Sequence, residues 1–181
     1  AAGRERHAFL SQHIGDLKNA AVLDHYHSAL ETYLRLFRIR PTVLVCDRNP
    51  DYFSAREAQE TAKRFSLPLL RVQHHWAHLC ACLADNRFSG PAFGIVWDGT
   101  GLGTDGSIWG GEFLIGSFDG FARAGSLRPV LLPGGDAAIR EIGRIALSLL
   151  WDTGLAPENA PLPPAKRTTL TAMLEKGIAC P

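Results

Sequence analysis

The stretch AFGIVWDGTGLGTDGSIWGGEFLIGSF, Ala92 to Phe118, decides how the chain is read. Ala92 to Asp98 is a short run of β-branched and aromatic residues, the composition of a strand. Gly99 to Gly106 is a glycine-rich turn, and SIWGGEFLIGSF, from Ser107, returns to strand composition. Gly101 to Gly106 spells G-x-G-x-x-G, the letters of a dinucleotide-binding loop. Such a loop needs a helix directly behind it, so that the pyrophosphate meets the helix N-terminus. The residues that follow here are β-branched, aromatic and interrupted by glycine, so that reading fails on context. A P-loop fails too, because no lysine stands in the Walker position. Two readings stay open. One is a β-hairpin whose glycines supply positive φ. The other is a hairpin whose amides cradle a phosphate while Asp98, at the strand end, holds a cation or a water. Two acidic residues, Asp98 and Asp105, are more than a turn requires.

Outward from this stretch, helical and strand patterns alternate. Leu23, Tyr26, Leu30, Tyr33, Leu34 and Phe37 predict a helix between Leu17 and Phe37 with one apolar face. Thr42 to Cys46 reads as a buried strand. Ser54 and Glu57 form a capping box for a helix with Ala58, Ala62 and Phe65 inward. PLLRV is a second strand and HHWAHLCACLAD a further helix. Downstream, Asp136 is the expected N-cap of a helix with Ile139, Ile142, Ile145, Ala146, Leu149 and Leu150 as its buried stripe. LAPENAPLPPAKR reads as a loop or linker before a short helix around Thr168 to Lys176. The alternation predicts an α/β layered domain. Both ends are abrupt, and the chain is expected to be a fragment.

Composition narrows the function. With 46% hydrophobic and 20% charged residues, 181 residues suffice for a sizeable core. A net charge of +1 gives no electrostatic case for nucleic acid or an anionic membrane. No apolar run is long enough to span a bilayer, and AAGRERHAFL has no signal-peptide core. Cys46, Cys80, Cys82 and Cys180 are expected to be reduced and chemically silent, since Cys80 and Cys82 lack CxxC spacing.

The histidines carry more. His74 and His78 are four apart, so on a helix they share a face and can hold one metal ion. HExxH is absent, because Trp76 and Ala77 stand between them. A carboxylate must therefore complete the site, and Asp98, at the end of the next strand, is the candidate. His75 is expected to point away from the pair, as a structural or supporting residue.

FLSQHIGDLKN, VQHHWAHLCACLADN, GIVWDGTGLGTDGSIWGGEFL and LPGGDAAIRE, in this order and spacing, resemble the Kae1-like domain of the HypF hydrogenase maturation carbamoyltransferases. The resemblance covers about Phe9 to Leu150. It implies an actin/Hsp70/sugar-kinase-like, ribonuclease-H-like α/β lobe, here incomplete. Residues 1–154 would be a partial Kae1-like domain, and 155–181 a Pro-rich linker and the start of a truncated second lobe. It also implies a carbamoyltransferase of the cytoplasm. Carbamoyl phosphate and ATP would give carbamoyl-adenylate, and the carbamoyl group would pass to the C-terminal cysteine of a HypE-type partner. The product is the precursor of the cyanide ligands of [NiFe]-hydrogenase. By the motif match, iron or zinc would sit on His74, His78 and Asp98. Gly99, Thr100, Gly101, Gly103, Asp105 and Gly106, with Gly134, Gly135 and Asp136 after Pro133, would line the adenylate pocket.

This chain departs from the family pattern at DRNPDY, where Asn49 replaces a histidine, and after Arg140-Glu141, where Pro-Trp is missing. The other domains of the complete enzyme are absent from the sequence, so little or no transfer is expected from these 181 residues alone. A Kae1-like O-carbamoyltransferase acting on a small metabolite, or an inactive truncated binding module, are the alternatives.

Overall fold

A computed structural model describes residues 1–15, 17 and 19–181. Asp16 and Lys18, inside the FLSQHIGDLKN motif and at the expected start of the first helix, lie outside the described residues. The chain forms two compact units, Ala1–His74 and His75–Pro181.

In the first unit a small hairpin, β1 (Ala2–Arg4) and β2 (His7–Phe9), precedes helix α1 (Ala20–Leu36). Asn19 caps α1: its Oδ1 accepts the Ala21 and Val22 N–H groups at 2.9 and 3.4 Å. Strand β3 (Leu44–Asp47), helix α2 (Phe53–Phe65) and strand β4 (Leu69–Val72) then make one βαβ unit. Its strands are parallel, with Leu44 opposite Leu69 and Asp47 opposite Val72. Ala55 and Ala62 form the buried side of α2. Ser54 is not its cap. The turn at Asn49, whose carbonyl accepts the Tyr52 N–H, brings the chain into helix at Phe53, so Tyr52 takes the cap position and its side chain does not cap the helix.

The second unit contains a three-stranded antiparallel meander, β5 (Ala92–Leu102), β6 (Ile108–Ser117) and β7 (Gly120–Ser126). Helix α3 (His74–Asp85) lays Leu79 and Leu83 on one face of it, against Val96, Trp109 and Leu114. Two contacts set that docking. A Cβ on Gly94 would come within 2.7 Å of Leu79 Cδ1, so only glycine lets the helix this close. The Trp76 indole donates to the Ser117 carbonyl at 2.8 Å. Phe93, Ile95 and Trp97 alternate onto the opposite, exposed face.

The first strand of the meander does not stop at Asp98. It runs on to Leu102 through an irregularity in which Trp97 faces Gly111 and Gly101 faces Trp109. Asp98, Gly99 and Thr100 thus share the space opposite Gly110, a bulge that re-aims the strand.

The single helix expected from Asp136 is two, α4 (Asp136–Arg140) and α5 (Gly143–Asp152). Gly135, at φ 54° and ψ −121°, precedes α4 in a conformation that suits glycine, so Asp136 is inside the helix rather than its cap. Glu141 leaves helical geometry at φ −123° and ψ 84°, held there by Arg144 and Lys166. The break rotates the expected stripe outward: Ile139, Ile142 and Leu149 are exposed, while Ala138, Leu147 and Ser148 are buried. The Pro-rich segment packs against this unit, and Ala160 and Leu162 join Leu147, Leu170 and Leu174 in a second core. Helix α6 (Pro164–Lys176) starts earlier than expected because Pro164 suits a first helical position.

Leu114 is fully buried at the centre of the meander core. Leu114→Ala is expected to cost about 2–5 kcal/mol, because the sheet and α3 collapse only partly into the space. A shift of the urea midpoint at unchanged slope would measure it.

Candidate metal centre

Strand β4 ends at Val72, and α3 begins two residues later, so His74 stands in its first turn and His78 one turn on. Asp98 sits in the β5 bulge. One ligand atom from each of His74, His78 and Asp98 lies within 4.8 Å of the others. His78 is exposed and the other two are half-buried, so the cluster opens to solvent on one side. Two imidazoles and a carboxylate, with positions left over, are the donor set of a catalytic zinc or non-haem iron site.

The surroundings of the cluster are built. The Asp47 carboxylate Oδ2 lies 2.6 Å from His74 Nδ1. Its Oδ1 accepts the Asn49 N–H at 2.8 Å, while the Asn49 side chain accepts the Asp51 N–H at 3.0 Å. Asn49 therefore serves the turn through both backbone and side chain. Asp98 Oδ1 accepts the Gly99 N–H at 2.8 Å, which orients that carboxylate from its own strand. His75 is fully buried beside Trp109, with its Nε2 3.8 Å from Asp98 Oδ2, behind Asp98 rather than beside His74 and His78.

The Gly-rich stretch closes a hairpin. Asp105 Oδ1 accepts from Ser107 N–H, Ser107 Oγ and Trp109 Nε1 at 3.0, 2.7 and 3.0 Å. Those bonds, the Ser107 hydroxyl foremost, hold the Asp105 carboxyl down at about 2. Gly103 donates its N–H to the Ser107 carbonyl, and a Cβ there would strike Trp109 Nε1 and Asp105 Oδ1. Behind the turn, Arg123 lies 4.3 Å over the Trp109 ring and pairs with the buried Glu112 carboxylate at 2.6 Å.

A cleft of about 760 Å³ opens beside the hairpin, lined by Asp98, Gly99, Gly106, Arg123, Arg128 and Trp151 among others. Of the expected adenylate residues, only Gly99 and Gly106 reach it; Thr100, Gly101, Gly103 and Asp105 build the strand and turn around it. Gly134, Gly135 and Asp136 do not line it. The Gly134 and Gly135 N–H groups are donated to the Ala179 and Leu132 carbonyls. Arg123, Arg128 and Glu112, which also line the cleft, were not singled out in the sequence, where each is an isolated charge with no motif around it.

The cysteines are Cys46, Cys80, Cys82 and Cys180. All four are free thiols, and burial pushes the Cys46, Cys80 and Cys180 thiols up, away from the reactive thiolate.

The hairpin gives two expectations. Gly103→Ala should cost about 1–3 kcal/mol in thermal or urea unfolding, since neither Trp109 nor Asp105 can retreat without losing a bond. Because the Asp105 carboxyl is lowered from 3.8, its bonds should persist at neutral pH and be lost as pH falls from 3.8 through about 2. An NMR titration of Asp105 would read that midpoint, and a value near 3.8 would refute the turn geometry.

Residues 1–85 match the family model described as the HypF Kae1-like domain, and residues 94–181 that of the second subdomain of the Kae1-like carbamoyltransferase domain. The carbamoyltransferase HypF of Rhizobium leguminosarum bv. viciae is 41% identical across 98% of this chain. The probable carbamoyltransferase HypF of Methanocaldococcus jannaschii is 35% identical across 79%. These regions are 23% and 19% of the two relatives, so the chain spans about a quarter of their length or less. Among solved structures, full-length HypF in its phosphate- and nucleotide-bound form superposes over 94% of this chain and 22% of that one, with TM-score 0.80 and 33% identity. The HypF of T. kodakarensis covers 77% of this chain and 18% of its own at TM-score 0.70, also 33% identical. The α/β architecture, the motif order and these likenesses agree: the chain belongs to the Kae1-like domain of the HypF carbamoyltransferase family.

Proposed function

We propose that this chain carries the carbamoyl-transfer site of a HypF-type enzyme of the cytoplasm, acting in [NiFe]-hydrogenase maturation. In this reading carbamoyl-adenylate, made from carbamoyl phosphate and ATP, gives its carbamoyl group to the C-terminal cysteine of a HypE-type partner. The convergence of His74, His78 and Asp98 within 4.8 Å is the observation that carries it. Their donor set fits iron or zinc, and the ion, when bound, would polarise the carbamoyl group and orient the adenylate.

The chain's own residues supply the rest. The cleft beside Asp98 is large enough for a nucleotide, and on its wall stand Arg123, paired with Glu112, and Arg128, paired with Asp152, guanidinium groups that an entering phosphate would share with those carboxylates. Gly99 and Gly106, without side chains, let a ligand approach the backbone at its rim. The acceptor thiolate attacks the carbamoyl carbon. A C–S bond forms as the C–O bond to phosphate breaks, and AMP leaves with the electron pair. Holding both reactants in line lowers the barrier without a nucleophile from this chain, in keeping with its raised thiols. Among the described residues no helix is long and apolar enough to cross a membrane.

Metal analysis of the purified chain is the direct test. Stoichiometric iron or zinc is expected, lost in His74→Ala and His78→Ala. A folded wild-type chain that takes up neither metal would overturn the reading. In the full-length enzyme, transfer to a peptide ending in cysteine, against transfer to small hydroxylated acceptors, separates this reaction from O-carbamoylation.

A further inference from the structure

The turn after β3 is not passive. Asp47 is the last residue of that strand, half-buried, and each of its carboxylate oxygens has a fixed partner: Asn49 N–H on Oδ1 and His74 Nδ1 on Oδ2. A carboxylate can only accept, so the proton of this 2.6 Å bond resides on His74 Nδ1. In a neutral imidazole the lone pair then lies on Nε2.

We infer that Asp47 is the positioning residue of the metal site, fixing His74 in the Nδ1–H tautomer so that Nε2 is the ligating nitrogen. This rests on the proposed metal site and adds the residue that orients one of its ligands. A hydrogen-bonded carboxylate also restricts the rotation of the imidazole, which favours metal binding. The parallel register makes the contact, since Asp47 pairs with Val72 and His74 follows two residues on. The aromatic ring of Tyr52, edge-on to His74 with centroids 6.4 Å apart, limits the ring from the side.

The isosteric variant Asp47→Asn separates tautomer control from packing. The Asn49 N–H would hold the amide oxygen on the Oδ1 side, turning the amide NH₂ toward His74 Nδ1. That nitrogen must then accept, and the proton moves to Nε2, where the metal should bind. Asp47→Ala removes the partner without imposing a tautomer. Two readouts are needed on the full chain: zinc affinity by competition with a chelating dye, and the His74 tautomer from ¹⁵N ring shifts of metal-free protein. Zinc affinity is expected to fall about 10–100-fold in Asp47→Ala, and at least as far in Asp47→Asn. The wild type should show the Nδ1–H form and Asp47→Asn the Nε2–H form, with thermal melts near wild type for the isosteric change.

Wild-type zinc affinity retained in both variants, or an Nε2–H His74 in the wild type, overturns this inference while leaving the metal site standing. A wild type that binds no zinc overturns both, whereas loss of zinc in His78→Ala alone keeps the site and rejects Asp47.

Discussion

The parallel register of β3 and β4 is the constraint on which the candidate site depends. With Asp47 opposite Val72, the carboxylate at the end of one strand meets the histidine that opens the helix after the other. A slip of one residue would turn Asp47 to the opposite face and remove the contact. The α2 crossover enforces that register by burying Ala55 and Ala62, small residues that let the helix lie close. A parallel pair places its functional groups at strand C-terminal ends, and both groups here stand at or just beyond such ends.

Helix α3 carries the consequence forward. It is continuous from His74, so one turn of helix sets His78 beside His74. Its contact with the meander is equally specific, through Leu79 at Gly94 and Trp76 at Ser117. The Asp98 carboxylate then comes to His78 by a bulge rather than by a regular strand. Bulges cost ladder hydrogen bonds, and the hairpin beyond offsets that loss with the Asp105 bonds and the Arg123–Glu112 pair. Arg123 of that pair also lies over the Trp109 ring, so the pair stiffens the wall of the cleft.

Much of this was legible in the residues. HHWAHLCACLAD is helix over the span its periodicity implies, and His75 turns inward as the spacing of the other two histidines requires. The helix starts failed where local chemistry had a competitor. Ser54 and Glu57 match a capping box, yet the Asn49 turn starts the helix first. Asp136 resembles a cap, yet Gly135 owns that position, and the Glu141 break turns Ile142 out to solvent. The proline-rich segment looked like a linker because proline and polar residues dominate it, but Ala160 and Leu162 have partners far along the chain.

The sequence by itself determined the helix and strand types, the His74–His78 pair, and the glycine-rich turn, because each depends on neighbours within a few residues. Only the tertiary structure decided that Asp98 reaches the histidines, that Asp47 grips one of them, and that the amides of Gly134 and Gly135 donate to the Ala179 and Leu132 carbonyls. Those outcomes hinge on strand register, a bulge and long-range hydrogen bonds, and no periodicity in a single chain encodes which carbonyl or carboxylate a distant group will meet.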